Sequence, residues 1–239
     1  ELRSETGQTQ RDQAERWRQM HNLEIQSRAN EVANRYEAQI EALKEDIDRL
    51  SGIPQVHIEI AKEKANSLGK TGYILTLDAP CYQAVMTYCA DRDIRQTVYR
   101  AYVTRCSDLF PFPQYDNSKI IEELMGYRKE AAKILGYKNF AEYSLAKNMA
   151  PSSAKVLEFL NGLLNKSQST AKKQMQELIE YAKEYGTSDF QPWDYAFFLE
   201  KQQESLFQFS SEEIKEYFVE DKVIQALFDL TEQLFGVSI

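Results

Sequence analysis

Apolar side chains recur at every third or fourth position along most of this 239-residue chain, the spacing that places them on one face of an α-helix. Gly, Pro and capping residues interrupt the pattern where helices are expected to end or begin. Helices are therefore predicted over residues 17–50, 54–69, 80–89, 91–107, 117–135, 140–147, 152–185, 192–207, 210–217 and 221–235.

Signals for β structure are confined to one place. The segment 73–77 is rich in β-forming residues and bounded by Gly72 and Asp78, which predicts a short strand. Two prolines in alternate positions predict an extended loop over residues 110–115. The expected fold class is mainly α, a multi-helix lobe with long antiparallel helices and at most one short strand or hairpin.

The first predicted helix has two ways to bury its apolar stripe. From Ala29 onward the stripe keeps close to a seven-residue repeat, which is typical of a coiled coil. About three heptads make a short coiled coil, so packing against another helix of the same chain is favoured over a dimer. Gly52 and Pro54 end this helix, and the expected organisation is a long N-terminal helix region at 1–50 and a helical lobe at 51–239 without a firm internal boundary.

Composition supports a folded, helical chain. Apolar residues make up 43% of it, which suffices for a core, and only nine Gly and six Pro occur, too few for the turns of an all-β fold. The net charge of -8 argues against nucleic-acid and anionic membrane partners, and no apolar stretch is long enough to span a bilayer. The lack of an initial Met indicates a processed or shortened chain.

Cysteine usage favours a reducing compartment. The three cysteines are odd in number and fit neither a disulfide framework nor a metal knuckle; they are Cys81, Cys89 and Cys106. We therefore expect a cytoplasmic location, with an organelle matrix as the alternative. Cys81 and Cys89 lie among apolar neighbours on a predicted helix, which favours core packing over a nucleophilic role.

The sequence shows no motif typical of a catalytic metal site or of a phosphate-binding loop. The two histidines, His21 and His57, are far apart in the sequence and neither begins an H-E-x-x-H motif, so no zinc site is predicted. The string Gly69-Lys70-Thr71 lacks the first glycine and the preceding strand of a phosphate-binding loop, and is interpreted as a turn. No catalytic or metal residue is assigned.

Charged residues on the predicted helices are interpreted as structural. The carboxylate pairs one turn apart are expected on solvated faces; they are Glu200 with Glu204 and Glu212 with Glu216. The densest basic stretch is interspersed with aspartates, which favours intrachain ion pairs over phosphate binding; it comprises Arg92, Arg95, Arg100 and Arg105.

Several segments occur in the order found in a known family. The first group is Leu75-Thr76-Leu77-Asp78-Ala79-Pro80-Cys81-Tyr82, Val85-Met86, Asp91-Arg92-Asp93-Ile94-Arg95 and Tyr99-Arg100-Ala101-Tyr102-Val103-Thr104-Arg105. The second is Asp116-Asn117-Ser118, Leu135-Gly136-Tyr137-Lys138-Asn139-Phe140-Ala141-Glu142-Tyr143-Ser144, Lys147-Asn148-Met149-Ala150, Trp193-Asp194, Glu200-Lys201, Glu212-Glu213, Tyr217-Phe218 and Leu234-Phe235-Gly236. In this order they resemble the oligopeptidase A and thimet oligopeptidase-like family of zinc metallopeptidases, least so before Ser51.

The resemblance implies a mainly helical, two-lobed zinc enzyme whose deep channel admits short peptides. In that family the H-E-x-x-H helix lies beyond the stretch resembling Leu234-Phe235-Gly236, so no catalytic or metal residue carries over to this chain. The chain is then expected to be inactive alone, to bind no zinc, to supply one wall of the channel and to pack against the missing catalytic lobe. Without that lobe, exposed apolar surface should favour self-association.

Two questions stay open at the level of sequence. The tyrosines that could face a channel rather than the core are Tyr73, Tyr82, Tyr143 and Tyr195, and no substrate-binding residue is assigned among them. The alternative function is a stand-alone helical protein-interaction module without enzymatic activity, which a reading frame ending at Ile239 would favour.

Overall fold

The computed structural model describes residues 2–37, 40–42, 47–109, 113–208, 214 and 217–237; within helix and strand, the side chains of 2–11, 32–37 and 40–42 are outside this description. The helices are α1 (Leu2–Glu37), α2 (Gln55–Ser67), α3 (Ala79–Tyr88), α4 (Arg92–Val103), α5 (Ser118–Ile134), α6 (Phe140–Leu145), α7 (Ser153–Glu184), α8 (Tyr195–Phe207) and α9 (Glu220–Phe235), and the strands are β1 (Ile40–Ala42) and β2 (Tyr73–Leu75). The mainly α fold class is confirmed.

The predicted first helix is wrong at residues 40–42, which form strand β1, and at 47–50, which form a 3-10 turn; residues 38–39 and 43–46 lie outside the description. Strand β1 occupies part of its range and pairs antiparallel with β2, with Ile40 opposite Leu75 and Ala42 opposite Tyr73. Ile74 and Leu75 of β2 are buried, and buried backbone N–H and C=O groups need hydrogen-bond partners. Strand β1 supplies backbone hydrogen-bond partners to β2, which a helix continuing through residues 40–42 would not do. This tertiary requirement overrides the helical periodicity of residues 40–42.

Helix α1 packs along α5 of the same chain, which is the arrangement that the sequence favours over a coiled-coil dimer. Asn30 Nδ2 donates to Asn117 Oδ1 at 2.8 Å near the start of α5. Arg128 Nη2 lies 3.0 Å from Glu24 Oε1, further along α5 and earlier in α1. The two helices are therefore antiparallel.

Side-chain caps lie at the N-termini of α3, α4 and α7. Asp91 accepts the backbone N–H of Asp93 and of Ile94 at 2.9 and 3.1 Å, which confirms it as the cap of α4. Asp78 caps α3 and Ser152 caps α7 in the same way.

Two apolar cores join several of the described elements. The main core joins α2, β2, α3 and α4; its buried residues are Leu50, Ile53, Ile58, Ala61, Leu75, Leu77, Ala84, Val85, Met86, Cys89 and Val98. The smaller core joins the C-terminal turns of α7 to α8 through Leu178, Ala182 and Phe198.

Some predicted features fall outside the described residues. The loop predicted over 110–115 is described only at Pro113–Tyr115, a single 3-10 turn, and most of the short helix predicted over 210–217 is not covered. The division into 1–50 and 51–239 stays a prediction.

Candidate functional site

The histidines lie on separate helices. His21 is exposed on α1, and His57 is half-buried near the start of α2. Among the residues that the structure describes, no group of three or more His, Cys, Asp or Glu side chains could hold a metal ion. The donor set in this part of the chain therefore does not fit a catalytic zinc ion.

Cys81 in α3 and Cys89 directly after it pack with the main core, as the sequence predicts. Burial raises the pKa of the Cys81 thiol, and it raises that of the buried Cys89 to about 11. A nucleophilic cysteine needs a lowered pKa, so these two thiols are structural.

The Gly69-Lys70-Thr71 string forms an exposed turn directly after α2. Gly69 adopts a positive φ of 67°, and the Lys70 N–H donates to the Ala65 carbonyl at 3.0 Å. The interpretation as a turn is confirmed.

A buried ion cluster joins α4 to the turn that precedes α8. Arg95 Nη2 lies 2.9 Å and Arg92 Nη2 lies 2.8 Å from the two carboxylate oxygens of Asp194. Asp194 is fully buried and Arg95 is 2% exposed. Arg95 also donates to the carbonyls of Trp193 and Cys89, so most of its guanidinium is hydrogen-bonded.

The ion cluster is held in its charged form. Burial would raise the pKa of Asp194, but hydrogen bonds from Arg92 and Arg95 outweigh it and hold the pKa below its ordinary value. The hydrogen bond to Asp194 raises the pKa of Arg92. Intrachain pairing is thus confirmed for both arginines, although their main partner is a distant aspartate rather than those beside them in sequence.

The other two arginines of the basic stretch contact aromatic rings. Arg105 lies 3.8 Å above the Tyr102 ring and donates to the Leu77 carbonyl, and Arg100 lies 5.8 Å from the Trp193 ring. These contacts are structural.

Glu200 departs from the solvated face predicted for it. Only 8% of Glu200 is exposed, and its Oε1 has no hydrogen-bond partner among the described residues. Its helical phase could have revealed this, because Trp193 and Ala196 precede it by seven and four residues and pack against the main core. Glu204 instead pairs with Lys201 at 2.8 Å, and Glu212 and Glu216 are outside the described residues.

The four candidate tyrosines differ in exposure. Tyr73, Tyr82 and Tyr143 are half-buried; Tyr82 stacks on Tyr102 at 3.8 Å between ring centroids, and Tyr143 lies 6.0 Å from the Trp17 ring. Tyr195, in the first turn of α8, is 44% exposed. Of the four, Tyr195 is the most accessible to a ligand.

Two helices carry broad apolar faces that no described residue covers. The open face of α7 consists of Leu157, Phe159, Leu160, Leu163, Leu164 and Met175, exposed by 40 to 66%. The open face of α9 consists of Val223, Ile224, Leu227, Phe228, Leu230, Leu234 and Phe235, exposed by 36 to 75%. Contiguous apolar surface of this extent marks an interaction site.

None of the described helices is both long and apolar enough to cross a membrane.

Residues 85–239 match peptidase family M3. Oligopeptidase A of Escherichia coli (strain K12) is 38% identical over 224 residues, which are 90% of this chain and 33% of that protein. Oligopeptidase A of Haemophilus influenzae is 41% identical over 82% of this chain and 29% of its own length. The organellar oligopeptidase A of Arabidopsis thaliana is 35% identical over 83% of this chain and 26% of its own length. The chain thus spans about a third or less of the curated relatives it matches.

Proposed function

The chain belongs to peptidase family M3, and on that basis we propose that it is the non-catalytic helical portion of a zinc-dependent oligopeptidase that hydrolyses short peptides. The observation that carries the proposal is the match to oligopeptidase A, which extends over 90% of this chain but only 33% of the Escherichia coli protein. The zinc ligands and the catalytic residues then belong to the remainder of the enzyme.

The distribution of metal-ligating side chains supports the non-catalytic role. The described residues offer no cluster of metal ligands, and the histidines lie on different helices. We expect the chain alone to bind no zinc stoichiometrically and to cleave no peptide.

The open faces of α7 and α9 support a structural partnership with the catalytic lobe. In a whole enzyme these faces would be buried against that lobe, and the adjacent surface would form one wall of the substrate channel. Tyr195 is the candidate for contact with peptides, because it is exposed in the first turn of α8 whereas the other three tyrosines are half-buried.

Charge and cysteine chemistry support the remaining partner and location predictions. The net charge of -8 disfavours nucleic acid and anionic membranes as partners. Cys81 and Cys89 are free thiols, which suits the cytoplasm or an organelle matrix. Two Arabidopsis relatives carry names that place them in the cytosol and in chloroplasts or mitochondria.

The second candidate function is a stand-alone helical interaction module. It is favoured by the same open faces, which could receive a protein partner instead of a catalytic lobe. The reading frame distinguishes the two: continuation past Ile239 into an H-E-x-x-H motif would eliminate the stand-alone module.

Complementation tests the proposal directly. The purified chain, with zinc supplied, is assayed for bound metal by mass spectrometry and for cleavage of a fluorogenic peptide, alone and mixed with the unmatched part of Escherichia coli oligopeptidase A. We expect no activity from either piece and peptide cleavage from the mixture. Activity of the purified chain alone would refute the non-catalytic role.

A matched pair of variants identifies the surface used. Leu160→Glu with Leu164→Glu alters the open face of α7, whereas Asn161→Glu with Asn165→Glu places the same charges on its polar side. Only the first pair should abolish complementation. Equal activity of both variants in the mixture would show that α7 does not contact the catalytic lobe.

A further inference from the structure

Arg105, in the turn that follows α4, is half-buried and has no carboxylate partner among the described residues. In this it differs from the other five described arginines that are buried or half-buried, which all lie 2.6 to 3.0 Å from a carboxylate. Their pairs are Arg16 with Glu130, Arg49 with Asp91, Arg92 and Arg95 with Asp194, and Arg128 with Glu24. A half-buried guanidinium without a counterion is suited to bind an anion, because its hydrogen bonds to carboxylates are strong.

The guanidinium of Arg105 is held in one orientation but keeps unused N–H groups. Its Cζ atom lies 3.8 Å from the centre of the Tyr102 ring, which stacks on Tyr82. Nε donates to the Tyr102 carbonyl at 2.9 Å, and Nη1 donates to the Leu77 carbonyl at 3.3 Å. A guanidinium has five N–H groups, so three of them, including both on Nη2, have no partner among the described residues. Such a fixed planar group can bind a carboxylate through two parallel hydrogen bonds.

Arg105 lines a pocket of about 440 Å³, together with Glu31, Tyr102, Val103 and Cys106. This volume lies within the range of sites for small molecules. Glu31, an exposed residue of α1, supplies the one carboxylate among the described lining residues and forms no ion pair with Arg105. A cationic and an anionic side chain therefore line one pocket without neutralising each other.

The two charged residues are tied to each other through Asn117, which is 3% exposed. Its Oδ1 accepts a hydrogen bond from Asn30, the residue before Glu31, and its backbone N–H donates to the carbonyl of Cys106, the residue after Arg105, at 2.8 and 3.0 Å. Cys106 adopts a positive φ of 55°, which non-glycine residues keep only where the surrounding structure requires it. The fold thus fixes the positions of both backbone segments before a ligand binds.

We infer that this pocket binds a short peptide with both termini free, its carboxylate on Arg105 and its ammonium group on Glu31. A ligand that carries both charges satisfies both side chains, whereas a simple anion would also lie near the carboxylate of Glu31. The inference concerns a pocket of this chain alone and does not depend on the proposed function.

Peptide analogues test the role of each charge. Titration of the isotopically labelled chain with alanyl-alanine, followed by NMR, measures the dissociation constant. Amidation of the peptide carboxylate should weaken binding about tenfold, because it removes charge-assisted hydrogen bonds to Arg105. N-acetylation should weaken binding about threefold, since Glu31 is exposed and exposed ion pairs are weak. No saturable binding of alanyl-alanine, or equal affinity for the three peptides, would overturn the inference.

Two variants assign these effects to the pocket. In Glu31→Gln, alanyl-alanine should bind about threefold more weakly, whereas the N-acetylated peptide should bind as it does to the parent chain. Arg105→Lys keeps the charge but loses the planar fork, and should weaken binding of alanyl-alanine about tenfold. The matched controls are Glu63→Gln and Arg100→Lys, which alter exposed residues that do not line the pocket. Both controls should leave the affinity unchanged.

The comparison in Glu31→Gln decides the test even if Arg105→Lys fails to fold, which circular dichroism reveals. Equal weakening of the free and the N-acetylated peptide in Glu31→Gln would overturn the inference, because Glu31 would then not contact the ammonium group. Controls that weaken binding as much as the pocket variants would overturn it as well, since they would indicate a general effect of charge. These measurements use neither zinc nor a catalytic lobe, so the inference and the proposed function can fail independently.

Discussion

Asp194 joins α4 to the turn that precedes α8. It is fully buried, it accepts hydrogen bonds from Arg92 and Arg95, and it also accepts the Gln191 N–H at 3.0 Å. Arg95 is 2% exposed, so without this carboxylate its charge would be buried without a counterion. A buried ion pair contributes little net stability over an apolar pair, but breaking one is costly.

Asp194→Ala should therefore lower the free energy of unfolding by about 3 to 5 kcal/mol, measured by urea denaturation at one protein concentration. Asp189→Ala is the matched control, because Asp189 also pairs with Arg92, at 3.0 Å, but is 68% exposed. Its loss should cost less than about 1 kcal/mol. Equal losses would mean that the burial of Asp194 is not what makes its pair important.

Gly52 is required for two reasons, of which only one applies to Gly69. Both adopt a positive φ, 90° at Gly52 and 67° at Gly69. A Cβ at Gly52 would also press into the Tyr88 carbonyl oxygen, whereas nothing lies within 4 Å of a Cβ at Gly69. Gly69→Ala should cost about 1 to 2 kcal/mol, and Gly52→Ala at least about 2 kcal/mol more, both by urea denaturation. Similar losses would show that the carbonyl moves aside without cost.

At the scale of elements, α7 is the helix whose two ends differ most. Its C-terminal turns are fixed by α8, through the Leu178 contact and the hydrogen bond from Tyr181 to the Lys201 carbonyl at 2.9 Å. By contrast, every residue of α7 from 157 to 177 is exposed. Most helical stability in proteins comes from tertiary packing. Because residues 157–177 lack such packing in the described structure, their helical conformation depends on local propensity.

Gly162→Ala should accordingly raise the free energy of unfolding of α7. Gly162 lies in the exposed helix interior, and an added Cβ would meet nothing within 4 Å. The gain should be about 0.5 to 1 kcal/mol, since Gly loses more backbone freedom than Ala in a helix. Hydrogen exchange should show the added protection at residues 157–177. Gly126→Ala in α5 is equally exposed and unobstructed, and should leave exchange in α7 unchanged.

For the molecule as a whole, buried or bonded aspartates determine the response to acid. The hydrogen bond from Arg49 at 2.6 Å is the main cause that lowers the pKa of Asp91, and the pKa of Asp194 is lowered as well. A carboxylate with a lowered folded-state pKa contributes stability above its unfolded pKa, and this contribution is lost as pH falls through the folded value.

The free energy of unfolding should therefore be nearly constant above about pH 5 and fall steadily below about pH 4. Asp91→Asn should be less stable than the parent chain at pH 7, and the difference should shrink as the pH approaches 2. Urea titrations at a series of pH values measure both curves. A difference that stays constant down to pH 2 would mean that the charge of Asp91 is not what stabilises the fold.

Most helices could be predicted from the sequence, because their apolar spacing and caps act over a few residues. The sequence predicts the last helix over 221–235, and that helix occupies Glu220–Phe235; the sequence also predicts the cap at Asp91, which the structure confirms. The end of α1 could not be predicted in this way. Pairing of β1 with β2 joins segments more than 30 residues apart, so local periodicity carries no information about it.

By itself, the sequence determined a mainly helical chain whose two histidines lack the spacing of an H-E-x-x-H zinc site, and the family to which it belongs. These properties depend on composition, on short-range spacing and on the order of short segments. Only the tertiary structure decided that Asp194 neutralises Arg92 and Arg95 from about 100 positions away, that Glu200 is buried and that residues 157–177 of α7 are exposed. Burial and ion pairing depend on which distant elements meet, and that is settled when the chain folds.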